Sequence, residues 1–145
     1  MAFEEVNSTL LTSQLLMNDS DERFFEQFKL GTTRYYTLLH LEQSPGLTLS
    51  ELSQRLICTK GNMTRILKSM QADGLLERYN DPRDGRAIRH TLTPRGMALL
   101  VRVRAAYRNF LDQRYAGLEL YEIDSLQRIL SRFNRRLEAS LRPTE

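Results

Sequence analysis

The 145-residue chain has 41% hydrophobic and 27% charged side chains, the balance of an ordinary folded protein and not of a disordered one. That length suits one compact domain with a real core. No apolar run is long enough to span a bilayer, and the acidic start, Met1 to Val6, lacks the basic segment of an export signal. The net charge of +3 is uneven: residues 1–54 balance at −5, residues 55–95 at +5 and residues 96–145 at +3, so the middle of the chain suits either a polyanion or a solvated basic surface.

Apolar residues recur at helical spacing from Phe3 through Val6, Leu10, Met17, Phe24 and Phe28. Asn18 to Asp21 interrupt them, which leaves one long helix or two, closed by Leu30-Gly31. Thr32 or Thr33 caps a second helix to about Gln43, with Leu38, Leu39, Leu41 and Tyr35 or Tyr36 available to a core. Ser44-Pro45-Gly46 breaks the chain. Leu47 to Leu49 suffice for an edge strand only. Ser50, or equally Thr48, caps a short helix to Leu56.

After Ile57-Cys58, Thr59 is a good cap for a helix to about Asp73, stopped by Gly74. Leu75–Tyr79 and Ile88–Leu92 read as paired antiparallel strands around a turn-rich loop, 80–87. Thr93-Pro94 opens a helix to about Tyr115, with Met97, Leu100, Val103, Tyr107, Phe110 and Leu111 inward. Gly117 breaks it. A last helix, Tyr121–Leu141, carries Ile123, Leu126, Leu130, Phe133, Leu137 and Leu141 on one stripe, and Pro143 stops it.

Short helix, tight turn and following helix make a helix-turn-helix. The second helix needs one apolar face to anchor it and one small, polar face to enter a major groove. Met63, Ile66, Leu67 and Met70 supply the first. Gly61, Asn62, Arg65, Lys68 and Ser69 supply the second, with Thr59, Lys60 and Thr64 near the N-terminal end. No carboxylate between Thr59 and Ala72 repels phosphate. Asn can pair with adenine and Arg with guanine. In the hairpin tip, Asp81 to Arg86, a cation suits the strongly negative minor groove. Arg86 and Arg83 are the candidates, with Asp84 placed to hold Arg86 in a bidentate pair and Gly85 to supply a positive φ.

These residues resemble the MarR family of winged helix-turn-helix transcription regulators. The resemblance lies in Thr48 to Ser53, Thr59 to Arg65, Gly74 to Arg78, Asp81 to Ala87 and Leu92 to Gly96. The fold it implies is mainly α with a small antiparallel β-hairpin wing, flanked by N- and C-terminal dimerisation helices. Residues 1–31 and 96–145 would interlock two copies, and residues 32–95 would form the DNA-binding lobe. Arg86 would enter the minor groove, steadied by Asp84, while the helix Thr59 to Asp73 lies in the major groove. Glu119 stands where the family usually has a serine or threonine cap. A small phenolic or anionic effector would bind between the lobes, where Tyr36 and His40 are the candidates; as ordinary core and interface residues they need no ligand.

The expected function is therefore a homodimeric regulator, a repressor, of near-palindromic double-stranded DNA sites. No catalytic motif is present, and His40 and His90 are not at metal-ligand spacing, so no cofactor is expected. The single Cys58 suits a reducing cytoplasm. It reads as a small core residue, or as a redox switch in a sensor of the same fold. A winged-helix module that binds protein instead of DNA is the remaining alternative.

Overall fold

The structure, a computed structural model, describes residues 1–142, so Pro143 and its expected helix stop lie outside the described residues. Helix α1 is Ala2–Glu26, a single helix. The polar stretch does not break it, because Asp19 accepts a hydrogen bond from Arg23 Nε one turn on, at 2.9 Å. The chain then turns at Lys29 (φ 53°), and Leu30 N–H returns to the Phe25 carbonyl. Leu30-Gly31 is thus not the closure. Gly31 is extended and begins α2, Thr32–Gln43. Neither Thr32 nor Thr33 caps it, since Glu22 of α1 reaches across to the Thr32 amide instead. Tyr35 is the inward tyrosine of the pair, its ring stacked on Phe25 at 4.6 Å.

Strand β1, Leu47–Thr48, leads into α3, Leu49–Leu56. Its cap is Thr48 and not Ser50. Thr48 Oγ1 accepts the Glu51 amide, and Glu51 Oε2 accepts the Thr48 amide at 2.8 Å, which satisfies two free donors at once. Helix α4 is Lys60–Ala72, followed by β2, Leu76–Asn80, and β3, Ile88–Leu92. The sheet order is β1-β3-β2, all antiparallel; the expected edge strand pairs Leu47 with His90, and the hairpin runs from Leu76↔Leu92 to Asn80↔Ile88.

Helix α5 is Pro94–Tyr115. Thr93 Oγ1 accepts the Gly96 amide and donates to the Gly74 carbonyl, tying the start of α5 to the end of α4. A Cβ on Gly96 would lie 2.0 Å from the Leu75 carbonyl oxygen, so only glycine fits this contact. Helix α6 is Leu120–Leu141. It starts cleanly although Glu119 replaces the hydroxyl cap, because the Glu119 amide is satisfied by Glu122 Oε2 at 2.9 Å.

The chain forms two compact units, Met1–Ala106 and the stretch from Tyr107 onward. The core of the first holds Phe25, Leu38, Leu52, Met63, Met70, Leu76, Leu100 and Val103, all almost fully buried. Met97 is an exception to the inward stripe expected of α5 and is exposed. In the second unit Arg114 stacks over Phe110 at 4.8 Å. Helix α6 buries no residue in the single chain.

Candidate nucleic-acid interface

The turn between α3 and α4 is made by Ile57 in the left-handed region (φ 50°, ψ 51°), after which Cys58 N–H donates to the Ser53 carbonyl. Thr59 then caps α4, its Oγ1 accepting the Asn62 amide at 3.2 Å. Met63, Leu67 and Met70 are buried and Ile66 half-buried, so the helix is anchored by the expected face. Thr59, Lys60, Gly61, Thr64, Arg65, Lys68 and Ser69 are exposed, and Asn62 is half-buried. Arg65 donates to Asn62 Oδ1 at 2.6 Å, so these two act as one polar unit one turn into the helix.

Arg83, Asp84 and Arg86 are all exposed at the hairpin tip. Two side chains fold this tip. Asp81 Oδ1 accepts the Arg83 amide at 2.9 Å, and Asp84 Oδ1 accepts the Arg86 amide at 3.1 Å, each closing an Asx turn. Asp84 therefore meets Arg86 through its backbone and not its guanidinium, which stays open to solvent. Gly85 has no positive φ, because these turns reverse the chain without it. The positive-φ glycines are Gly46 and Gly74.

Sequence reasoning missed the clamp beneath the tip. Arg89 Nε donates to Asp81 Oδ2 at 2.7 Å and its Nη1 to the Gly46 carbonyl at 2.8 Å, joining the wing to the loop before β1. The Arg83 amide, and then the Arg89 guanidinium, hold the Asp81 carboxyl below its ordinary range. His90 is buried, its Nδ1 3.0 Å from the Leu47 carbonyl. Burial pushes its pKa below the usual value. The only sequence signal for the clamp was an arginine alternating with a buried histidine; Gly46 is 43 residues away.

Tyr36 and His40 lie half-buried on α2. Tyr36 packs edge-on against Tyr35, and burial followed by the charge of Arg55 lowers the His40 pKa. His40 Nδ1 is buried without a hydrogen-bond partner. Cys58 is half-buried, not the core residue its position suggested. Its neighbour Ile57 is 91% exposed. Among the described residues no helix is long and apolar enough to cross a membrane.

The model of the MarR family matches residues 28–87, the stretch that holds α2, the helix-turn-helix, β2 and the wing tip. The chain is 30% identical over 114 residues to the HTH-type transcriptional regulator PrsX of Escherichia coli, covering 74% of this chain and 69% of that protein. It is 27% identical over 109 residues to the HTH-type transcriptional repressor IacR of Pseudomonas putida. That match covers 75% of this chain and 65% of the relative, just under two thirds of its length. The crystal structure of Streptococcus pneumoniae FabT in complex with DNA superposes with a TM-score of 0.78, covering 94% of this chain and 98% of that one at 21% identity, a likeness of fold. A capped, acid-free α4 docked on α3, a hairpin wing behind it and matches of this extent lead to one assignment: the chain belongs to the MarR family of winged helix-turn-helix transcription regulators.

Proposed function

We propose that this protein is a homodimeric repressor that binds a near-palindromic double-stranded DNA operator and is released from it by a small aromatic or anionic ligand. The observation that carries the reading is the exposed side of α4, where Lys60, Arg65 and Lys68 stand with no carboxylate along the helix. Thr59, Gly61, Asn62 and Thr64 complete a surface small enough to enter a major groove. Arg83 and Arg86 supply the minor-groove cations, with Asp84 shaping the tip that carries them. The name of IacR as a repressor and the DNA bound to FabT support the same reading.

Residues 32–95 hold the DNA contacts in this reading, and residues 1–31 and 96–145 pair the two copies. Exposed Phe3, Val6, Leu15 and Leu16 on α1, and Ile129, Phe133 and Leu137 on α6, support that pairing. Apolar stripes of this size are expected to be covered. Twofold symmetry then repeats the helix and wing along the duplex, which calls for inverted half-sites.

Selection of bound duplexes from a random pool gives the operator, and mobility shifts on it test the contacts. Arg65→Ala and Arg86→Ala are each expected to weaken binding by about 1–3 kcal/mol without dissociating the dimer. Unchanged affinity in both variants contradicts the assignment. The half-exposed thiol one residue before the α4 cap is the observation that favours a redox-sensing version. Cys58→Ser is expected to keep DNA binding; an oxidant response lost in that variant alone favours the sensor.

A further inference from the structure

Helix α6 carries a second cationic surface, one that the helix-turn-helix and the wing do not include. Arg128, Arg132, Arg135 and Arg136 fall at i, i+4, i+7 and i+8, which gathers them on one side of the helix, within about 100° of its circumference. All four are exposed. No acid lies between Ser125 and Leu137, so the row is not neutralised from within, and Asp124 and Glu138 only flank it. Arg128 Nη2 reaches Ser125 Oγ at 3.4 Å, and among the described residues the side chains of Arg132, Arg135 and Arg136 have no ion pair or hydrogen bond. The exposed apolar residues Phe133 and Leu137 lie on the other side of the helix, the side that pairs two copies in the function proposed above. The arginine row faces away from that stripe.

The chemistry of the row selects a phosphate backbone. Its Cα atoms span about 12 Å of helix axis. A duplex carries one phosphate charge per about 1.7 Å, so the same length offers about seven. Arginine suits such a partner better than lysine, since its planar guanidinium takes two phosphate oxygens at once and never loses its charge. An anionic bilayer offers similar oxygens, but a helix lying in it must bury its apolar stripe in the lipid. That stripe is the one a second copy covers.

We propose that the arginine face of α6 binds the backbone of a second DNA duplex without regard to sequence, so that a dimer seated on its operator bridges two DNA segments. Helix α4 lies in the first compact unit and α6 in the second, so each surface is complete without the other. Bridging rests on the reading of α4 as the groove-facing helix; the α6 contact does not. Three or four phosphate contacts give the strength of non-specific binding, with a Kd on the order of 1–100 μM at physiological salt. The second duplex is therefore taken up only when DNA is in excess over the operator complex.

The test loads the full chain on an immobilised operator duplex and titrates a labelled duplex of scrambled sequence over it in about 50 mM salt. Saturable capture is expected, and its affinity should fall with rising salt at a log–log slope of about −3 to −4. Replacing three arginines together (Arg132→Gln, Arg135→Gln, Arg136→Gln) keeps good helix formers on α6. This variant should capture the second duplex at least about tenfold more weakly, hold the operator within about twofold of wild type and sediment as wild type does. No capture by wild type, or equal capture by the variant, overturns the proposal. A variant that falls to monomer overturns it too, because the arginines then serve the pairing of copies. So does arginine-dependent binding of phosphatidylglycerol vesicles that is tighter than binding of the scrambled duplex. If wild type does not hold the operator, direct titration with the scrambled duplex decides. Binding lost in the triple variant then ends the α4 reading and the bridging but leaves the α6 contact standing, and binding unchanged in it ends the α6 contact as well.

Discussion

At Ile57 a β-branched residue holds left-handed backbone while its side chain is 91% exposed. That conformation costs an L-residue about 1–2 kcal/mol, and glycine adopts it freely at some cost in unfolded-chain entropy. Almost no burial is lost on truncation. Ile57→Gly is therefore expected to raise unfolding stability by about 1 kcal/mol in a urea titration; a loss of stability contradicts the strain. The histidines act at the same scale. Burial lowers the pKa of both His90 and His40 from 6.5, so below about pH 6.5 the unfolded chain takes up protons before the folded one. Stability is full above that pH and falls on acidification until the folded groups titrate too. His90→Asn, which keeps a donor for the Leu47 carbonyl, should flatten the fall in urea midpoint between about pH 7 and 5.5. A midpoint as steep in the variant as in wild type assigns the effect elsewhere.

Among the elements, those with a local signal were legible in the chain: Thr59 as the cap of α4, Thr93-Pro94 opening α5, the apolar face at Met63, Leu67 and Met70, and the antiparallel hairpin, whose first strand lies one residue later than expected. The errors fell where a distant residue took over a local task. Glu22 satisfies the Thr32 amide at the start of α2, where a threonine cap was expected, and Lys29 makes the turn assigned to Gly31. The wing shows the same thing. Its tip is closed by Asp81 and Asp84 and clamped by Arg89 to Gly46, so no strain at Gly85 is needed. The exposed polar face of α4 follows from helical periodicity, whereas the clamp of Arg89 on Asp81 and Gly46 needs a tertiary fold to assemble. Asp81→Ala removes both the turn acceptor and the Arg89 partner. It should speed amide exchange at Arg83 and weaken operator binding by about 1 kcal/mol, while the helical core melts as before. Wild-type protection at Arg83 would show that the clamp does not hold the wing.

For the whole molecule, the proposed function gives the exposed apolar residues of α1 and α6 and the cations of α4 and the wing one use: two copies would pair so that each presents its helix and wing to the same duplex. Phe133→Asp places a charge on the exposed α6 stripe and should shift the chain toward monomer in sedimentation, with operator affinity falling along with the dimer. The central claim is tested most directly by light scattering of the protein on its selected operator across a salt series. The account predicts two chains per duplex and an affinity that drops steeply as salt rises, as counterions released by several phosphate contacts require. A single chain per duplex, or binding indifferent to salt, would contradict it.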